Sequence, residues 1–202
     1  LVATANPVFT FTVNPNMCVG NSYKVRITTS AKDEAGNAIA AAYTSTGFST
    51  QNPTIGTGVN GAVYAIAHSC NLLYVGGNFT QVGTQSRTNL GAIDLTTGDA
   101  SSWNPAATGG QVQAIAVSGN TIYAGGYFTN LGGQARNYIG AIDKDTGLAT
   151  SWNPNASGGT WILSIVPSGS VVYVGGSYTT IGGQARNCIS AIDASTGLAT
   201  AW

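Results

Sequence analysis

Three arginines and three tryptophans recur in step along the chain: Arg87, Arg136 and Arg186, and Trp103, Trp152 and Trp202, each set spaced by 49 and then 50 residues. A guanidinium offers five N–H donors in a rigid fork, so it can grip an acidic ligand or bridge several carbonyls. An exposed indole plane is a stacking surface for a sugar, whereas a buried one is a wedge between layers. These six residues are the candidate ligand contacts. The architectural alternative is an inter-strand or inter-blade tether for each Arg, which stands two residues after a Gln (Gln85, Gln134, Gln184), and a packing wedge between blades for each Trp. It is favoured because five donors can bridge several carbonyls and because Asn-Pro, which ends a strand, follows Trp103 and Trp152.

The other reactive groups are few. Asp94, Asp143 and Asp193 open the segments DLTTG, DKDTG and DASTG. A carboxylate in that position accepts backbone N–H bonds two residues on while Gly takes the left-handed conformation, which is hairpin-turn chemistry. The functional alternative is a calcium or catalytic cluster. Carboxylates on equivalent turns are dispersed rather than convergent, and DKDTG occurs in one copy without the remaining ligands of a calcium loop. His68 is the single histidine, which excludes a His-rich metal site and would have to serve any triad. Asp33 and Glu34 are adjacent, and nothing sets them across a cleft as glycosidase carboxylates require. The glycine pairs are expected after strands with no helix following, so no phosphate loop is formed. No catalytic residue and no cofactor is expected, calcium being the one cation that an extracellular setting would offer.

Seven basic and seven acidic side chains in 202 residues cancel. No cationic surface exists to gather phosphates, so nucleic acid is not an expected partner. Low charge density suits attachment to a surface or self-association better than a crowded cytosol. No apolar run approaches the ~20 residues that span a bilayer as a helix. Cys18, Cys70 and Cys188 form no CxxC pair; one bridge, such as Cys18 to Cys70, and three buried thiols are both open readings.

The elements that must position these residues come from a repeat. Aligned on Gly76-Gly77, Gly125-Gly126 and Gly175-Gly176, the copies share an apolar alternation (VYAIA, VQAIA, ILSIV), then LLYVGG, TIYAGG and VVYVGG, then LGAID, IGAID and ISAID, and a closing SSW, TSW and TAW. Abundant Gly, Thr, Ser and Val with scarce Glu, Lys and Arg point to an all-β chain. Four short β runs per copy predict β-propeller blades: three four-stranded repeats at about 62–110, 111–160 and 161–202. Propellers use about four to eight blades, so three form an incomplete ring. It is completed by neighbouring blades of a longer chain or by self-association.

The ordered landmarks aromatic-x-Gly-Gly, apolar-Asp-x-x-Thr-Gly and Trp resemble the kelch propeller repeat. TIYAGGYFTNLGGQARNYIGAIDKDTGLATSWNP is similar to the delta-sixty type of bacterial propeller repeat found in large secreted and surface proteins. Upstream, residues 1–51 contain the alternating runs FTFTV and YKVRITT, the turn-rich AKDEAGNAIA and a last β run YTSTGFST. Their order is similar to the closing half of bacterial Ig-like domains of the S-layer type, and residues 52–61 read as a linker. A complete sandwich needs about seven strands, so the Ig-like β module is partial.

The resemblance implies an extracellular or cell-surface bacterial protein without enzymatic activity, a scaffold or self-assembling, filament-type subunit. The alternative is a carbohydrate-binding or adhesin-type propeller that takes a glycan or surface protein through the repeated Trp and Arg. An enzyme whose site lies outside this segment is the third reading.

Overall fold

The structure, a computed structural model, describes residues 58–159 and 161–202, with residues 26–27 and 43–44 ahead of them. The chain divides into two compact units, Leu1–Thr50 and Gln51–Trp202. In the first, β1 (Arg26–Ile27) pairs antiparallel with β2 (Tyr43–Thr44), joining the YKVRITT and YTSTGFST runs. The rest of the expected Ig-like module lies outside the described residues.

The second unit is all-β, and no helix occurs among the described residues. Its first repeat holds β3 (Ala62–Ser69), β4 (Leu72–Asn78), β5 (Gln81–Val82), β6 (Gln85–Ser86) and β7 (Leu90–Asp94). The second holds β8 (Ala107–Thr108), β9 (Val112–Ser118), β10 (Thr121–Gly126), β11 (Asn130–Leu131), β12 (Gln134–Ala135) and β13 (Ile139–Asp143). The third holds β14 (Trp161–Ser168), β15 (Val171–Ser177), β16 (Thr180–Ile181), β17 (Gln184–Ala185) and β18 (Ile189–Asp193). Each repeat builds one antiparallel three-stranded sheet, β3-β4-β7, β9-β10-β13 or β14-β15-β18, beside a small hairpin of two-residue strands, β5-β6, β11-β12 or β16-β17, to which β8 adds a third strand in the second repeat.

The fourth run of each repeat is shorter than the sequence leads one to expect. It is one isolated bridge, Ile93↔Ala100, Ile142↔Ala149 or Ile192↔Ala199. Two backbone bonds flank it in the second repeat, Asp143 N–H to Leu148 O at 2.9 Å and Thr150 N–H to Ala141 O at 2.8 Å. In each repeat the next free carbonyl is taken by an arginine, and in the first two Asn-Pro follows, where Pro has no N–H to donate.

The glycine pairs lie inside β4, β10 and β15 rather than after them. The second glycine of each pair faces a β-bulge in the preceding strand. A Cβ on Gly77, Gly126 or Gly176 would stand 2.0 to 2.2 Å from a carbonyl oxygen at the start of that strand, of Ala62, Gln111 just before β9, or Trp161, so no side chain fits. The first glycine serves a different purpose. A Cβ on Gly76 would meet Val112 Cγ1 at 2.6 Å and Ile115 Cδ1 at 2.8 Å, and one on Gly125 would meet Ile162 Cγ2 at 2.5 Å and Ile165 Cδ1 at 2.9 Å. The missing side chain therefore makes room for the next sheet.

Sheet-on-sheet stacking makes the core. β9 packs against β3 and β4 on one side and β14 on the other. One buried cluster joins Tyr74, Leu90 and Ala92 to Val112, Ile122 and Ala124; the next joins Tyr123, Ile139 and Ala141 to Ile162, Val172 and Val174. Both straddle a repeat boundary, so a repeat acquires its core from its neighbour. Cys70 is disulfide-bonded, and Cys188 is a free, exposed thiol. Cys70 sits at φ 54° in the β3–β4 turn, where the other two repeats use Gly119 and Gly169, both at φ 57°.

Candidate functional site

The recurring polar side chains are engaged inside the repeats. Arg136 donates from Nη1 to Ala135 O at 2.8 Å and from Nη2 to Thr150 O at 2.6 Å; Arg186 does the same to Ala185 O at 2.9 Å and Thr200 O at 2.8 Å. Arg87 repeats the pattern on Ser86 O and Ser101 O and is 8% exposed. Each fork ties the small hairpin to the last segment of its own repeat. The stem of Arg87 lies on Gly91 and that of Arg136 on Gly140, where a Cβ would come within 3.2 and 3.1 Å of the arginine Cγ. The third repeat has Ser190 at that position, and it accepts from the buried Tyr178 hydroxyl at 2.9 Å.

The aspartates are turn acceptors. Asp193 Oδ1 takes the Ser195 hydroxyl at 2.6 Å and the Thr196 N–H at 2.8 Å, and these bonds, the Ser195 hydroxyl first, pull its carboxyl down to about 2. Asp143 is held low by the Thr146 N–H and hydroxyl. At Asp94 burial works upward, but the bonds from Thr96, Thr97 and Asn71 outweigh it and the carboxyl is also lowered. Among the described residues, no three His, Cys, Asp or Glu side chains come together in a group able to hold a metal ion. His68 is exposed on β3, paired with Leu73.

The tryptophans divide by position. Trp103 and Trp152 are 5% and 3% exposed. Each reaches into the following repeat: Trp103 Nε1 donates to Asp143 O at 3.3 Å, and Trp152 Nε1 to Asp193 O at 2.9 Å. Edge-to-face contact with Tyr74 and Tyr123, at centroid distances of 5.0 and 4.9 Å, completes each joint. Trp202 keeps the equivalent contact with Tyr173 at 5.7 Å but is 62% exposed.

A group that sequence reasoning passed over lies where the second and third repeats meet. Tyr127, Tyr138 and Trp161 form a tilted run of three rings, with Tyr127 5.7 Å from Tyr138 and 5.4 Å from Trp161. Tyr127 is exposed and Tyr138 holds a left-handed backbone at φ 67°. The other repeats have Asn78 and Ser177, and Asn89 and Cys188, at the two tyrosine positions. The run therefore does not belong to the repeat pattern, and its one sequence signal was that departure. Shallow depressions of about 480 and 440 Å3 also occur, one beside Arg87 and Ser101, the other beside Pro154 and Gln184.

No protein-family model and no curated protein matches the chain. Among solved structures it is similar to the crystal structure of the computationally designed Ika4 protein, with a TM-score of 0.49 and 16% identity over 76% of this chain and 78% of that one. It is also similar to that of the computationally designed Ika8 protein, with a TM-score of 0.46 and 18% identity over 71% of this chain and 37% of that one.

Proposed function

We propose that this chain is a non-enzymatic extracellular structural protein of a bacterial surface, a scaffold or self-assembling subunit whose three repeats are blades of a β-propeller preceded by an Ig-like module. The observation that carries the reading is that one sheet-on-sheet joint is built twice from equivalent residues, Trp103 to Asp143 and Trp152 to Asp193. Such a joint transmits position along a stack, as a scaffold must, and it employs the recurring Trp, while Arg and Asp hold each repeat together. The disulfide at Cys70 supports an oxidising compartment. Low charge density supports life on a surface rather than in cytosol. Small-angle X-ray scattering of the full chain tests the blade reading: blades fan about a common axis, so three of them give a curved wedge, and a closed ring a hollow at its centre. A solid rod or a flat slab would count against it.

A second reading, a carbohydrate-binding or adhesin-type propeller, is favoured by the Tyr127–Tyr138–Trp161 run, since partly exposed rings in a row suit the apolar faces of consecutive sugars. A glycan array with the intact chain and with Tyr127→Ala tests it. Saturable binding lost in the variant supports it, and no saturable binding to any glycan removes it.

A further inference from the structure

The two outer faces of the stack carry the two unpaired halves of the joint found inside it. On the first repeat, Val63 and Ile66 are 41% and 64% exposed. They are the equivalents of Val112 and Ile115, which press on Gly76, and of Ile162 and Ile165, which press on Gly125. On the third repeat, Gly175 is the glycine left open: among the described residues a Cβ there would meet nothing nearer than Ser164 of its own sheet, at 3.7 Å. Around Gly175, Ile189 is 58% exposed, whereas its equivalents Leu90 and Ile139 are at 0%. Tyr173 is 39% exposed against 0% for Tyr74 and 5% for Tyr123.

The hydrogen bonding is divided in the same way. In the second and third repeats the turn carbonyl accepts twice: Asp143 O from Gly147 N–H and Trp103, and Asp193 O from Gly197 N–H and Trp152. In the first repeat Asp94 O takes the Gly98 N–H at 2.7 Å, which leaves its second lone pair for an indole. Trp202 has that indole.

We propose that the third repeat of one chain docks on the first repeat of a second copy, head to tail, and that two copies close into a ring of six repeats. Val63 and Ile66 of the second copy fill the space over Gly175, Ile189 and Tyr173, and Trp202 Nε1 donates to the second copy's Asp94 O. The occupant is a second copy because its exposed face presents Val63 and Ile66 at the positions from which Val112 and Ile115, and Ile162 and Ile165, fill this space at the internal joints. Head-to-tail contacts close when their rotation returns to the start. Closure at two copies rests on the blade reading, because six is the one multiple of three within the range of about four to eight blades.

Sedimentation velocity and light scattering on the full chain at micromolar concentration test this. The expected species is discrete, with twice the 20.4 kDa chain mass. Gly175→Val should abolish it and leave a single-chain species with unchanged far-UV circular dichroism, because the lone chain has open space at that position. Ile66→Asp, on the opposite face, should do the same. Single-chain mass at every concentration, open-ended polymers, or a dimer indifferent to Gly175→Val would each overturn the proposal. Scattering separates the two ideas. Single-chain mass refutes the docking and leaves the blades standing, while a Gly175-dependent dimer without a central hollow refutes the blades and the six-repeat ring.

Discussion

Replacing Gly125 with Ala adds one methyl group where the next sheet has left no room. Its Cβ would stand 2.5 Å from Ile162 Cγ2 and 2.9 Å from both Ile162 Cβ and Ile165 Cδ1, all inside real contact distance. Ile162 is fully buried and Ile165 nearly so, so neither can swing into solvent. Overpacking of this kind costs about 1–3 kcal/mol. Losing a glycine stiffens the unfolded chain and returns ~0.4–1 kcal/mol, which leaves a net loss of about 1–2 kcal/mol. With a urea slope of ~1–3 kcal/mol per molar, the midpoint followed by far-UV circular dichroism should fall by roughly 0.3–2 M. A double-mutant cycle sharpens the test. Ile162→Ala alone opens a cavity and should cost ~2–5 kcal/mol. Combined with Gly125→Ala, the new methyl moves into space that Cγ2 has left, so the two losses should be less than additive by ~0.5–3 kcal/mol. A neutral Gly125→Ala, or a strictly additive cycle, would refute the claim that this glycine exists to admit the neighbouring sheet.

Further tests follow from single side chains. The Tyr74 hydroxyl is buried without a hydrogen-bond partner among the described residues, and burial, then the Asp145 charge, pushes the group up to about 12. Tyr74→Phe should therefore raise thermal stability, by on the order of 1 kcal/mol, and a clear loss in calorimetry would show that the hydroxyl has a bond. Asp193 has a folded-state pKa near 2 against an ordinary 3.8. A depressed carboxylate contributes in full above its unfolded value and loses that contribution as pH falls through the folded one. Asp193→Asn should accordingly flatten the fall in melting temperature between about pH 4 and pH 2, and an unchanged acid limb would contradict the assignment. Trp152→Phe removes the indole donor to Asp193 O and some buried ring, and should cost ~2–4 kcal/mol in urea unfolding; a loss below half a unit would mean that the joint does not depend on it.

The repeat made the fold class legible, because Gly-Gly, the turn Asp and the closing Trp impose the same physical demand three times and so stand out against ordinary variation. Partners were less legible. The arginine was read as a tether within or between repeats, and only coordinates could show that both carbonyls it takes belong to its own repeat. The fourth run looked like a strand by residue type, yet in every repeat an arginine claims its carbonyl and one bridge remains. Tyr127, Tyr138 and Trp161 were missed because a reading built on recurrence gives no weight to residues that occur once. The exposure of Ile66 and Ile189 was equally hidden, since their equivalents are of the same residue type and differ in having a neighbour.

The placement of the arginine forks has a consequence for how such chains vary. Each guanidinium closes its own repeat on itself, and the internal joints combine apolar contact with hydrogen bonds to main-chain oxygens, among them the indole bond and Gly132 N–H to Pro105 O or Gly182 N–H to Pro154 O. A carbonyl is present whatever residue bears it, so beyond the recurring Trp, the glycine and the apolar residues that meet it, adhesion between modules makes little demand on their individual sequences. Gain or loss of a whole module by unequal recombination then leaves every surviving module chemically intact. In such a lineage, copy number can change in one genetic step, while side chains away from the joints are free to diverge.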